Sequence, residues 1–520
     1  MSTTETTSQS GDSKWLALAA MMFAVAMMFI DQTIVSIAVP TIQTDMGLSA
    51  TGVQWVINGY LLSLSAFFAF GGRISDMFGH KKMVILGILI FTISSALCGA
   101  TPNGSWAEPW LIVFRITQGI GAAIMFPAAL AIVVSAFPIK ERGKALAVFF
   151  GVTGALTAIG PILGGILSQW TWRSIFWINV PVAVIALILT FRAKVHTKHV
   201  REPLDLPGTV LIALGMGLSV LGLQQSANWG WGDFKTIGCI VAGLIILVVF
   251  VFVELRTEQP LIKMRIFRNR AFFVDNAVLF FAMMAFIPVF FFASVYCQAV
   301  LGYDATNAGL YLLVFFAGFA PAVQVAGRVF DKSGAKRIVG LGCLVSAVGF
   351  VLWAYKLTDY SLGSQWIFIL IAGAGIGLLL GPASTDSVSR AINASYGEAT
   401  GINQTARNYG SSLGVAILGT LLINTFSDKV VNSLVPLGVP AAKAQEIAAT
   451  AAGGAGAAPQ IPAGVPESVQ HQIMSAIQLD FAQANQVVFY GMAVALVIAF
   501  FISLFHPGDR ITDGLPSGGG

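Results

Sequence analysis

Apolar runs long enough to cross a lipid bilayer recur along almost the whole of this 520-residue chain, and no other feature restricts its fold so strongly. A hydrocarbon core roughly 30 Å thick is crossed by about 20 residues of helix. Fourteen such runs can be delimited, at 15–39, 50–71, 83–101, 109–136, 145–167, 174–191, 207–225, 236–254, 271–299, 305–327, 337–356, 364–389, 401–424 and 486–506. Transmembrane barrels need alternating segments of about ten residues. These runs are longer and do not alternate, so helices are expected. Composition agrees: 10% of the residues are charged, against about 25% in soluble domains. The fold class expected is an all-α membrane protein.

Lysine and arginine set the orientation. With the N-terminus on the cytoplasmic side, 22 of the 29 basic residues fall in inside segments and five outside, leaving Arg115 and Arg407 within helices. That asymmetry predicts both termini inside and an even number of spans. The net charge of +5 then reads as anchoring beside anionic lipid, with no nucleic acid required. Most tryptophans, Trp106, Trp110, Trp170 and Trp231 among them, fall at the opposite face, where an aromatic belt belongs. The opening residues 1–14 lack the basic start of a signal peptide, so the first span is expected to stay in the mature protein.

Several function classes drop out. The four cysteines, Cys98, Cys239, Cys297 and Cys343, lie singly in different spans, which indicates neither a zinc site nor a disulfide framework. No GxxxxGK motif occurs, and no soluble segment has room for a nucleotide-binding domain. Active transport by such a chain would draw on an ion gradient.

An internal repeat divides the spans. "GGRISDMFGHKK" after span 2 aligns with "AGRVFDKSGAKR" after span 10, pairing Gly72 with Gly327, Arg73 with Arg328, Asp76 with Asp331, Gly79 with Gly334 and Lys81 with Lys336. "QGIGAAIMFPA" in span 4 echoes "AGAGIGLLLGPA" in span 12 in the same register. The expected organisation is a tail at 1–14, a six-helix half at 15–192, two intervening helices at 207–254, and a second six-helix half at 271–506. A long external loop at 427–485 and a disordered tail at 507–520 complete it. Alanine, glycine and proline dominate that loop, so it is expected to be a mobile linker, with short helices near 441–452 and 468–481. Parallel six-span repeats characterise transporters whose halves rock about a midplane site.

These residues carry a resemblance. The chain resembles the major facilitator superfamily, and within it the fourteen-span drug/proton antiporter family of the QacA/EmrB type. "GGRISDMFGHKK" is similar to that family's G-x-L-x-D-R-x-G-R-K/R-x loop at Gly72, Asp76, Gly79 and Lys81, departing at Met77 and His80. "RITQGIGAAIMFP" resembles the span 4 motif through Arg115, Gln118, Gly119 and Gly121, and "IDQTIVSIAVP" the span 1 motif around Asp31. "GPILGG", with Gly160, Pro161, Gly164 and Gly165, resembles the end of the span 5 antiporter motif, although Leu156 stands where the family has a glycine. "WTWRSIFWINVPV" resembles the family's entry to span 6. The resemblance implies that Asp31 and Arg115 take part in coupling, that Asp76 belongs to a conformational latch, and that the span 5 glycines seal the two halves together.

Asp31 is costly where it stands, since an Asp at the centre of a membrane helix costs roughly 2.5 to 3.5 kcal/mol on insertion scales. Counted at 1.5 Å per residue, it lies about 24 Å up from the cytoplasmic face and Arg115 about 7 Å down from the other. In a 30 Å core the two are level, so they can neutralise each other. The reading is either a permanent ion pair or one that opens to a proton or a cationic substrate. His80, His196, His199, His471 and His506 all fall in loops or at helix ends, which leaves carboxylates to carry protons. Asp275 reads as interfacial, beside the basic run from Arg265 to Arg270, with a part in proton or substrate binding as its alternative; Asp386 reads as a neighbour of Arg390. Asp76 and Asp331 are expected near helix ends, with the following basic residues binding carboxylates in the other half.

The expected function is a plasma-membrane antiporter that exports lipophilic compounds, cationic ones included, in exchange for protons. It is expected to act as a monomer in membrane lipid, without cofactor, nucleotide or nucleic acid. A dedicated exporter of an endogenous metabolite or lipid keeps the same fold, and a non-transporting receptor is the rival of another class.

Overall fold

The computed structural model describes residues 11–137, 139–193, 204–390, 396–437, 439–452 and 467–508. Sixteen α-helices follow one another: α1 (Gly11–Met46), α2 (Ala50–Phe78), α3 (His80–Gly99), α4 (Ala107–Ala136), α5 (Ile139–Trp170), α6 (Ser174–Trp177), α7 (Asn179–Arg192), α8 (Leu206–Trp229), α9 (Phe234–Arg256), α10 (Arg270–Ala299), α11 (Ala305–Ser333), α12 (Ala335–Lys356), α13 (Leu362–Ser389), α14 (Tyr396–Leu434), α15 (Ala441–Ala452) and α16 (Glu467–Leu504). Thirteen described stretches are long and apolar enough to cross a membrane, α6 and α7 counting as one. The 32-residue α5 makes the fourteenth. Helices suit this solvent because each satisfies its own backbone groups where no water can.

Two halves repeat one packing scheme. In the first, α4 packs on α2 and α3, and α1 packs on α5 and α7; in the second, α13 packs on α11 and α12, and α10 packs on α14 and α16. They meet where α2 lies on α14, α5 on α11 and α1 on α10. The sequence repeat has a backbone reason at its centre. Gly79 (φ 96°) and Gly334 (φ 73°) each end one helix and begin the next, a single-residue turn in a region that side chains avoid. Pro127 and Pro382 likewise sit inside the equivalent helices α4 and α13.

The intervening pair, α8 and α9, packs together, and α8 rests on α2 and α14, one from each half. Polar groups fasten it: Asn58 Nδ2 donates to Gln224 Oε1 (2.6 Å), Gln224 Nε2 to Thr51 O (3.2 Å), and Thr420 Oγ1 to Leu223 O (2.9 Å). The Ser219 and Tyr409 hydroxyls lie 2.7 Å apart. The linker from α9 to α10 is clasped by buried carboxyl groups, with Leu261 N donating to Asp205 and Ile262 N to Glu254.

The region expected as a long external loop is largely helical. α14 continues to Leu434, α15 occupies Ala441–Ala452 as the sequence indicated, and the second short helix is the beginning of α16 and runs on into the last span. An apolar stripe explains the extension. Phe426, Val430 and Leu434 on α14 and Ile473, Ile477 and Phe481 on α16 are all buried, with the Phe426 and Phe481 rings 5.0 Å apart. Residues 453–466 and 509–520, where the rest of the linker and the tail fall, lie outside the described residues.

Candidate functional site

Asp31 on α1 meets Arg115 on α4 in the interior, with exposures of 0% and 1%. Arg115 Nη1 lies 2.5 Å from Asp31 Oδ2 and also donates to Gln118 Oε1 (2.8 Å), while Arg115 Nε donates to the Val56 carbonyl on α2 (2.8 Å). Gln118 Nε2 donates to Asp31 Oδ1 at 2.9 Å. The Tyr60 ring faces the guanidinium at 4.4 Å, a cation–π contact. Both carboxylate oxygens thus have a donor. Arg115 and Gln118 share a face of α4 because they are three residues apart. The helix-rise argument placed the Asp and the Arg level, and the structure brings them into contact.

The span 5 motif packs tightly on two sides. A Cβ on Gly160 would fall 1.9 Å from Thr33 Oγ1 of α1, and one on Gly165 would fall 2.7 Å from Thr306 Cα of α11. Gly164 faces the Ile34 carbonyl, and the Pro161 carbonyl faces Gly309 of the second half. α5 is therefore wedged between the helix that carries Asp31 and the opposite half.

The α2–α3 turn differs from expectation. Lys81 Nζ donates to Ala193 O (2.9 Å) and Phe191 O (3.2 Å), carbonyls at the end of α7 in its own half, in place of a carboxylate in the other half. The last carbonyls of a helix have no partner within it and attract a cation. Asp76 has a 53% exposed side chain and sits 3.8 Å from His80 Nε2, one turn on. Gly72 lies against Pro127 of α4. Arg73 reaches Gln259 in the α9–α10 linker at 3.4 Å. The Asp331 side chain lies outside the described residues.

A second ionic cluster occupies the second half at the end of the bundle bearing the α11–α12 turn. Asp275 on α10 is buried there, among groups that the sequence did not place beside it. It faces His506 Nε2 at 3.7 Å, and His506 lies 3.0 Å from Asp386 Oδ2 on α13. Arg390 Nε is 2.5 Å from the same oxygen, the neighbour expected one turn along α13. Among the described residues Asp275 Oδ2, which is buried, has no hydrogen-bond partner. His506 falls just past α16, where the sequence placed it, yet it is 2% exposed. Burial pushes its pKa down, but hydrogen bonds and charge from Asp275 and Asp386 outweigh that and raise it to about 9. His506 is thus an ionisable group buried beside two carboxylates, a setting that its place at a helix end did not suggest. The ligand atoms of Asp275, Asp386 and His506 lie within 4.8 Å of one another, a spacing that also suits a metal ion. Arg390 already supplies the positive charge at Asp386, so the donor set fits a proton better than a dication.

The family model described as the Major Facilitator Superfamily matches residues 21–415. The chain belongs to the major facilitator superfamily. This transporter is 33% identical over 515 residues to the tetracenomycin C resistance and export protein of Streptomyces glaucescens, covering 96% of the chain and 94% of that protein. It is 29% identical to multidrug resistance protein 3 of Bacillus subtilis, covering 82% of each chain, and 31% identical to the puromycin resistance protein pur8 of Streptomyces alboniger, covering 78% and 82%. Among solved structures, a bacterial homolog of the human lysosomal transporter Spinster in an inward-facing, unoccupied conformation matches with a TM-score of 0.60 at 18% identity, covering 98% of this chain and all of that one. The D-xylose–proton symporter matches with a TM-score of 0.57 at 15% identity, covering 78% and 90%. The fold is that of a major facilitator transporter, fourteen helices in two six-helix halves with two between, and the chain is not an enzyme.

Sequence reasoning on this transporter missed Tyr60 and Val56 around Arg115 and the role of His506. Tyr60 carried no signal beyond being one aromatic among many. His506 becomes visible only when the end of α16 is packed against α10 and α13.

Proposed function

We propose that this transporter is a proton-coupled antiporter that exports lipophilic drug-like or antibiotic compounds across the plasma membrane, with both termini cytoplasmic. The observation that carries the reading is the buried Asp31–Arg115–Gln118 contact, a carboxylate deep in the bundle held by a cation on another helix of the same half. Opening of that pair as the site faces one compartment or the other would let a proton compete with the arginine for the carboxylate. Alternating access would couple that exchange to substrate, with the α5–α11 contact closing one route. Asp275 with Asp386 and His506 supplies a second place for a proton. The relatives named for resistance to tetracenomycin C, puromycin and several drugs support an exporter of such compounds. A narrower reading, export of a single compound, is favoured by the tetracenomycin C relative, which aligns along nearly the whole chain.

Everted vesicles test the reading. Accumulation of a lipophilic substrate should follow an imposed pH gradient, and Asp31→Asn should abolish that accumulation while the protein still inserts. Uptake by the variant that matches the wild type at every imposed gradient would remove Asp31 from coupling. A receptor built on this fold would move nothing.

A further inference from the structure

α14 carries an arginine that the coupling scheme does not use. Arg407 lies well inside the bundle: the carbonyl of Thr405, two residues before it, accepts a 2.9 Å hydrogen bond from Ser65 in the middle of α2, and Gly410, three residues after it, packs on the Phe280 backbone of α10. α14 is enclosed by α2, α8, α10 and α16. Among the described residues the Arg407 guanidinium makes no hydrogen bond and no ion pair, and its Nε is buried without an acceptor. One turn earlier on the same face, Asn403 is buried and its Nδ2 also lacks an acceptor. Two orphan donors, one of them a full positive charge, therefore stand side by side at a depth where an unpaired charge costs several kcal/mol.

Arg115, by contrast, has its carboxylate. Intramembrane cations pair with counterions or line a binding path, and among the described residues no acid pairs with Arg407. Arg407 as a residue is only partly buried. What would satisfy both donors is an anionic oxygen presented by a ligand, since a planar guanidinium binds a carboxylate through paired N–H groups and an amide N–H beside it adds a third donor. α10 brings the Phe280 and Phe281 rings, 5.2 Å apart, to the same level of the bundle. An aromatic body attached to the anionic oxygen would find apolar surface there.

We propose that Arg407, assisted by Asn403, is a substrate-binding cation that selects lipophilic compounds carrying an acidic oxygen, a carboxylate, phenolate or enolate, over lipophilic cations. This rests on the exporter reading and sharpens it, narrowing an expectation that left cationic compounds open. Asp31 does not offset Arg407, because both of its oxygens are taken up by Arg115 and Gln118.

Two dyes with the same xanthene core provide the test: fluorescein, which is anionic, and rhodamine 123, which is cationic. Fluorescence anisotropy with the purified full-length protein should give the wild type a lower Kd for fluorescein than for rhodamine 123. Arg407→Gln should weaken fluorescein at least about tenfold, the loss of one charge-assisted pair, and should not weaken rhodamine 123. Arg407→Lys should recover most of the fluorescein affinity, and Asn403→Leu should lose part of it. The thermal midpoint of Arg407→Gln should equal or exceed that of the wild type, since an unpaired buried charge is removed. The proposal is overturned if Arg407→Gln leaves fluorescein unchanged, if it weakens both dyes alike, if its midpoint falls, or if the wild type prefers rhodamine 123 or binds neither dye. Uptake of either dye by everted wild-type vesicles under a pH gradient reports separately on the exporter reading, so failure of one is distinguishable from failure of the other.

Discussion

The two halves each bury an ionic cluster, and the two clusters are finished to different degrees. In the first half Asp31, Arg115 and Gln118 close on themselves, with both carboxylate oxygens and the guanidinium Nε and Nη1 partnered. In the second half Asp386 takes both Arg390 and His506, while Asp275 keeps one buried oxygen without a donor among the described residues. The completed cluster resists opening, because separating it exposes two charges to low dielectric at once. The incomplete one has a vacant acceptor, so gaining or losing a proton there requires little rearrangement. The first is suited to hold a conformation until a proton or substrate competes for it, and the second to respond to local proton activity.

Arg115→Met should have the largest effect on this contrast. It strands a buried carboxylate, so a loss of about 3 to 5 kcal/mol is expected, read as a fall in the thermal midpoint in detergent. Adding Asp31→Asn to it should restore most of that loss. If Asp275→Asn alone costs as much, the difference between the clusters is not real.

Next is the pH dependence of His506. Its folded pKa is raised above the usual 6.5 to about 9, so its contribution is fully present below about pH 6.5 and is lost as pH rises through 9. The midpoint difference between wild type and His506→Gln should then be on the order of 2 kcal/mol in equivalent stability at pH 6 and should vanish above pH 9. A difference that is constant with pH would assign His506 a packing role only.

Asp275→Asn should lie within about 1 kcal/mol of the wild type, because the amide introduces a donor beside Asp386 where a bare oxygen stood. The smallest effect is expected from Lys81→Met. Loss of its bonds to the end of α7 should cost about 0.5 to 1 kcal/mol, visible as faster amide exchange at the end of α7 with the rest of the bundle unchanged.

How much of this was readable in advance depends on how far each signal travels along the chain. Span positions and the repeat were readable because lipid imposes length and apolarity locally, residue by residue. The Asp31–Arg115 contact was readable because helices in a bilayer have a nearly fixed rise, which converts residue number into depth. Depth says nothing about lateral neighbours, so the meeting of His506 with Asp275 and Asp386 was not accessible. The helix at 468–481 was readable, but its continuity with the last span was not, because alanine and glycine around it masked the stripe of Ile473, Ile477 and Phe481. Lys81 was directed to the wrong partner because a family motif says which residues recur and leaves open which carbonyls lie within reach. Arg407 is legible in the sequence too: the rule that singles out Asp31 applies equally to a basic residue inside a span.

The fastening of α8 bears on how chains of this kind can descend from one another. Asn58, Tyr409 and Thr420 all hydrogen-bond to α8, and they belong to α2 and α14 of opposite halves. Were the intervening pair deleted, those three polar groups would face hydrocarbon with nothing to bond. A lineage that shed the pair would first have to replace them with apolar residues, and one that acquired it could set them in place only afterwards. Apolar residues at these three positions in a twelve-helix cousin would therefore mark it as never having carried the pair, or as having lost it cleanly.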